Sequence, residues 1–325
     1  MPMKRLIYSM AVAAAAVAAV AVSVARADDS DKKLHFAMVT HEIGSGFFAP
    51  HKQAAEDFAK RYGVTVDFMG PQIWDINEHV NILENLIAKG VDGIATTTVD
   101  PRAYRGVVRK ALDAGIPVVG FNNDDAGGSD RLAFVGQYDA PAGKVAGEQA
   151  LKYLGGADKA KGKTALVFIC CPGFTALELR AKALKETLES AGVNVKGPIE
   201  YTADPSKVYG NIEAAYLANP DAAALLSVDA FTWVLSDFVA KNDLGGKVVA
   251  GGWDMLPQTL KGIKDGNVKF TVGSNPYITA YYALLDLYFD KTKGIPPISI
   301  DTGVTLVDST NVSAFTDVAK KEVAH

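Results

Sequence analysis

Apolar and polar positions along this chain follow two periods that take turns. Short apolar runs at 34–39, 64–69, 93–97, 117–121 and 132–135 read as strands, as do those at 165–169, 193–201, 222–228, 247–251 and 268–272. Between most of them the apolar residues return every three or four positions. Ile76, Val80, Leu83 and Ile87, for example, share one helical face. Pro101, Pro205 and Pro276 stand near predicted helix starts, where a missing N–H costs least. Such alternation predicts an α/β fold with parallel sheet. The pattern also repeats once. KGVDGIATTTVDPRAYRGVVRKALDAGIPVVGFNND and NPDAAALLSVDAFTWVLSDFVAKNDLGGKVVAGGWD are the same β-α-β unit, and no Ser/Pro/Gly-rich linker separates them. Two closely packed β/α halves are expected, with several crossovers between them.

The first turn, HEIGSGFFAPHKQ at 41–53, contains a match to the dinucleotide fingerprint G-x-G-x-x-G/A, with Asp67 near the spacing of a ribose-binding acid. Its surroundings argue against a phosphate. Phe47 and Phe48 obstruct close backbone approach, and Pro50 starts the helix late.

The N-terminus sets the compartment. Lys4 and Arg5 precede an Ala/Val-rich run at 11–24, and Ala25-Arg26-Ala27 ends it with an A-x-A site. This reads as a secretory signal over 1–27, cleaved after Ala27, and too short for a membrane span. The whole chain carries 33 basic and 37 acidic residues. Removing the signal takes away three basic residues and no acid, so 30 basic residues face 37 acids. That balance gives no support to nucleic-acid or anionic-membrane binding. The two cysteines, Cys170 and Cys171, are neighbours and cannot staple a long loop. They read either as buried thiols or as a vicinal disulfide whose sulfurs add a flat apolar surface beside a ligand.

Ligands of open parallel sheets sit outside the C-terminal strand ends, so the turns there are read together. They carry His41, Phe47, Phe48, Trp74, Asn122 and Asn123 in the first half, and Phe174, Arg180, Asp229, Asp254, Ser274 and Asn275 in the second. The set is aromatic, amide and carboxylate, with Arg180 its only base. It suits a neutral, hydroxyl-rich ligand: rings cover C–H faces while Asn, Asp and Arg exchange hydrogen bonds with hydroxyls. Each residue also has a structural reading. Phe48 and the tryptophans could be core, Asp229 and Asp254 helix caps, Asn122 a turn former, and Arg180 a partner of Glu178. His41, His51 and His79 share no metal-ligand spacing, so neither a metal nor a cofactor is expected. Glu178, Asp229 and Asp254 could be imagined as glycosidase carboxylates, but an enzyme is not the expectation.

The segments GSGFFAPHKQAAEDFAKRYGV, GVDGIATTTVDP, AGIPVVGFNNDD, FVGQYDAPAGKVAGEQA, VVAGGWDMLP and SNPYITAYYA together resemble the periplasmic sugar-binding proteins of the type I class, the ribose, galactose and autoinducer receptors of ABC importers. The resemblance implies two Rossmann-like lobes with parallel sheets, joined by a multi-strand hinge near Gly136, Ser274 and Pro297. The lobes would be 28–136 plus 275–298, and 137–274 plus 299–325. It implies a monomer that captures a neutral sugar or polyol between its lobes and delivers it to a membrane permease. The alternative is a receptor that docks on a chemoreceptor or sensor kinase. Phe47 and Phe48 match the aromatic pair that faces the sugar, and Ser45 falls where ribose receptors place an Asn. Asn122 matches a hydroxyl-binding position, with Asn123 beside it. Arg180 matches the ligand-facing Arg of galactose-type receptors, Asp254 the Asp of their Gly-Phe-Asp segment, and Ser274 with Asn275 the last hinge position. Glu178 stands in place of a second ribose-binding Arg, Phe174 in place of a His, and Ala176-Leu177 in place of an Asp-Gln pair. His41 replaces the autoinducer receptor's Lys. No D-x-D-x-D-G calcium loop is present.

Overall fold

The computed structural model describes residues 33–44 and 46–316. The signal segment, Ser45 and the C-terminal KKEVAH lie outside the described residues. In chain order the elements are β1 (His35–Val39), a 3-10 turn (Gly46–Phe48), α1 (Ala49–Tyr62), β2 (Thr65–Met69), α2 (Ile76–Lys89), β3 (Gly93–Thr96), α3 (Pro101–Asp113), β4 (Val118–Phe121) and β5 (Ala133–Gly136). Then follow α4 (Asp139–Tyr153), α5 (Ala157–Ala160), β6 (Thr164–Ile169), α6 (Thr175–Ser190), β7 (Asn194–Glu200), α7 (Pro205–Leu217), β8 (Ala222–Ser227), α8 (Thr232–Lys241), β9 (Val249–Trp253) and α9 (Pro257–Lys264). The chain continues through β10 (Phe270–Gly273), α10 (Pro276–Lys293), β11 (Ile300–Asp301) and β12 (Thr305–Asp308).

The strands form two six-stranded sheets. The first runs β2-β1-β3-β4-β5-β11 and is parallel throughout. The second runs β7-β6-β8-β9-β10-β12, parallel except for β12, which pairs antiparallel to β10. Both sheets reverse their winding between their first and third strands, β1/β3 and β6/β8, which opens a crevice at the C-terminal strand ends. Helices cover both faces, so Phe36–Val39 and Ala165–Ile169 are buried on both sides and read as unbroken apolar runs. Asp75, Asp100 and Asp204 accept backbone N–H groups at the starts of α2, α3 and α7, and Pro101, Pro205, Pro257 and Pro276 each open a helix.

The chain passes between the sheets at 137–138, 274–275 and 302–304. The last passage corrects the expected lobe boundary after residue 298. Ile300 and Asp301 pair with Val135 and Gly136 at the open edge of the first sheet before the chain leaves it.

Candidate functional site

The turns that follow the strands converge on a cleft of about 870 Å³. From the first sheet come His41 and the Phe47–Phe48 pair after β1, Trp74 after β2, and Asn122 and Asn123 after β4. From the second come Phe174 and Arg180 after β6, Asp229 after β8 and Asp254 after β9. Sequence reasoning thus brought these ten residues to one place. Ser274 and Asn275 do not line the cleft. Ser274 bonds Asp254 Oδ1 at 3.4 Å. Asn275 holds the crossing segments together: its Nδ2 donates to Thr302 O at 3.2 Å, and its Oδ1 accepts from Thr305 Oγ1 at 3.3 Å.

The glycine fingerprint serves packing. Gly44 donates its N–H to Gln72 O at 3.0 Å, and Ile43 donates to Pro71 O at 2.8 Å. A Cβ at Gly44 would lie 2.2 Å from Gln72 O, so glycine lets the first two turns join edge to edge. This contact presents Gln72 and Trp74 to the cleft, a contribution from Gln72 that periodicity could not reveal.

The first wall is aromatic. Phe47 and Phe48 meet edge to face at 5.0 Å, and His41 meets Phe48 at 5.0 Å in the same way. Burial pushes His41 down to about 3, as it does His51 and His79 behind it. These imidazoles are neutral at pH 7, and His41 Nδ1 has no hydrogen-bond partner among the described residues. From the opposite wall the ring of Phe174 reaches His41 at 5.6 Å and Trp74 at 4.8 Å.

The polar groups fall into two sets. Those already engaged within the protein include Asp229. Its Oδ2 accepts from Cys170 N–H at 2.7 Å, and its Oδ1 accepts from Phe231 N–H at 3.1 Å, from Ser227 Oγ at 3.2 Å and from the Tyr201 hydroxyl. Burial raises its carboxyl, and these donors hold it back. Glu178 accepts from Gly173 N–H at 3.1 Å and does not pair with Arg180. Arg180 pairs instead with buried Asp139, Nε to Oδ1 at 2.7 Å, and its Nη1 donates to Val228 O at 3.3 Å. Its guanidinium lies 5.3 Å over the Trp253 ring. Asp139 was not foreseen, because its meaning depends on α4 packing along α6.

The second set is open to a ligand. The side chains of Asn122 and Asn123 are nearly enclosed, yet neither amide has a hydrogen-bond partner among the described residues. The carboxylate of Asp254 has only the long contact from Ser274. Burial pushes Asp254 up to about 6, partly countered by Arg180. Asp254 does not cap α9, whose N-cap is Leu256. Asp254 and Asn122 have φ of +69° and +61°, a left-handed conformation that Asp and Asn adopt more readily than other side-chain-bearing residues. Among the described residues no group of His, Cys, Asp and Glu is placed to hold a metal.

Two lobes of doubly wound sheet around a cleft at their switch points define the architecture of a solute receptor. Residues 36–289 match the periplasmic binding protein domain, and the chain belongs to that family of binding proteins, which are not enzymes. It is 26% identical over 294 residues to the xylose/arabinose-binding protein XylF of Sulfolobus acidocaldarius, covering 85% of this chain and 71% of that protein. It is 26% identical to the D-allose-binding periplasmic protein of Escherichia coli, covering 84% of this chain and 90% of that one. The crystal structure of a Burkholderia graminis ABC transporter solute-binding protein in complex with D-arabinose superposes with a TM-score of 0.81, at 25% identity, over 88% of this chain and 98% of that one.

Proposed function

We propose that this protein captures a neutral sugar or polyol in the cleft between its two sheets and delivers it to the permease of an ABC importer. The observation that carries the reading is the pair of enclosed, unpartnered amides of Asn122 and Asn123 facing Arg180 and Asp254 in an aromatic cleft. Amide, guanidinium and carboxylate can each donate to or accept from a ring hydroxyl, and Phe47 offers a face to the C–H side of the ring. The named relatives bind xylose, arabinose and allose, which supports a monosaccharide-sized ligand. Among the described residues no helix is long and apolar enough to cross a membrane. With the cleavable leader read at 1–27, the mature protein acts in the periplasm, as a monomer that rotates its lobes about the three crossings and has no nucleic-acid partner. Asn275 and Ser274 act through the hinge and Asp254.

A thermal-shift screen over pentoses, hexoses and polyols tests the proposal. A ligand bound only by the native state raises Tm by about 5 °C or more at a hundredfold excess over Kd. A flat profile across all neutral sugars and polyols would overturn it.

A further inference from the structure

The second sheet presents one stretch of wall that bears no polar side chain. From the end of β6 to the first turn of α6, the side chains that reach the cleft are Cys170, Cys171, Phe174 and Leu177. Cys170 and Cys171 are joined in a vicinal disulfide. Of the polar groups nearby, Glu178 accepts from Gly173 N–H at 3.1 Å and Thr175 N–H donates to Val99 O at 3.0 Å, while His41 Nδ1, on the ring that meets Phe174, is buried.

The disulfide is held in place from both sides. Cys170 donates its N–H to Asp229 at 2.7 Å, and Cys171 O accepts from Phe174 N–H at 3.2 Å. Gly173 has a φ of +92°, which glycine adopts freely, and it turns the chain so that Phe174 faces His41 and Trp74. Sulfur is polarisable and accepts ring and C–H contacts well. A sugar hydroxyl set against this surface would lose its water and gain no partner.

Resting on the sugar-capture reading above, the geometry points to the Cys170–Cys171 disulfide as a ligand contact that sets specificity. With Phe174 and Leu177 it receives a ring edge that carries only C–H groups. It therefore selects pentopyranoses over hexopyranoses, whose exocyclic hydroxymethyl group would be buried there without a hydrogen bond. The disulfide is thus a shaping element of the site and not a staple for the chain.

Calorimetric titration of the mature oxidised protein with two matched pairs tests this: D-xylose against D-glucose, and L-arabinose against D-galactose. Within each pair the sugars differ by the hydroxymethyl group. The expected result is pentose binding about tenfold tighter or more in at least one pair. Hexoses binding as tightly in both pairs, or myo-inositol binding with none of the four sugars, overturns the selectivity and leaves capture of sugars or polyols standing. No binding of any of the five also overturns the selectivity, while the capture reading stands or falls separately on the thermal-shift screen over all neutral sugars and polyols. Cys170→Ser with Cys171→Ser is expected to bring the pentose-to-hexose ratio close to one. A folded double variant that keeps the ratio makes the pair a turn brace and overturns its role. If that variant does not fold, reduction of the native protein by a phosphine, verified by intact mass, gives the same readout without mutation. Two free thiols in the protein as isolated would also overturn the proposal.

Discussion

Phe174, from the turn after β6, meets Trp74, from the turn after β2, edge to face with ring centroids 4.8 Å apart. The two residues belong to different sheets, so the contact spans the cleft. A backbone hydrogen bond runs beside it, from Thr175 N–H to Val99 O at 3.0 Å. The walls are therefore joined at one end through rings and peptide groups while the amides of Asn122 and Asn123 face the interior.

If this contact helps hold the lobes together around a ligand, Trp74→Ala and Phe174→Ala should not be independent. Aromatic pairs contribute about 0.5–1.5 kcal/mol beyond their buried area. A double-mutant cycle on ligand affinity should return a coupling on that scale. Effects that add within measurement error would show that the two rings act on the ligand separately.

Gln137 ties the three crossings together. Its Nε2 donates to Gly273 O at 2.9 Å and Gly303 O at 3.2 Å, and its Oε1 accepts from Trp253 Nε1 at 3.1 Å. The side chain is 1% exposed, so Gln137→Ala would leave an indole N–H and two carbonyls buried without partners. A loss of at least about 3 kcal/mol in urea-unfolding stability is expected, from about 1–3 kcal/mol for each of the three orphaned groups. An unchanged midpoint and slope would mean that water or a neighbour replaces the side chain.

Most of this architecture was legible from the residues because its strands are buried on both faces and its helices on one. Phe36–Val39 could hardly be anything but a central strand. β11 escaped notice for the opposite reason: Ile300–Asp301 is two residues long, follows two prolines and makes one edge pairing. β12 has four residues, with only Val307 and Asp308 buried, so its period is weak. The cleft residues were legible because turns at C-terminal strand ends must converge. Their division of labour was not. Whether Asp229 is free depends on Tyr201, Ser227 and Cys170, and the partner of Arg180 is an aspartate 41 positions away on another helix. Gln72 reaches the cleft only because the Gly44 backbone can touch it.

Asp254 should couple binding and stability in opposite directions. Burial raises its carboxyl to about 6 in the folded protein, against an ordinary value of 3.8. The folded state therefore takes up the proton at higher pH than the unfolded state. Stability is reduced above pH 6 and recovers as pH falls from about 6 toward 4. At pH 7.5, Asp254→Asn should raise the unfolding free energy of the ligand-free protein by on the order of 1–3 kcal/mol. The same change should weaken ligand binding by about 2–4 kcal/mol, the scale of a lost charged hydrogen bond. Parallel urea titrations at pH 5 and pH 7.5 check the first part, and calorimetry the second. A variant that is less stable at pH 7.5 would assign Asp254 a structural role.

Charge should exclude acidic sugars. Glu42, Asp204, Asp229 and Asp254 line the cleft. Among the described lining residues Arg180 is the sole permanent cation, and it is already paired with Asp139 at 2.7 Å. His41 adds no charge at pH 7, because burial holds it down at about 3. A carboxylate or phosphate entering this space would be stripped of water beside like charges, which costs several kcal/mol when no counter-ion is free to meet it. D-Glucuronate and ribose 5-phosphate should therefore leave Tm unchanged at concentrations where the best neutral sugar raises it. Glucosamine, which brings a positive charge, should fare no worse than tenfold below its neutral parent. If an acidic sugar proves to be the tightest ligand, Arg180 must exchange Asp139 for the ligand on binding. Asp139→Asn would then tighten that ligand, where the arrangement seen here predicts a loss of stability and no gain in affinity.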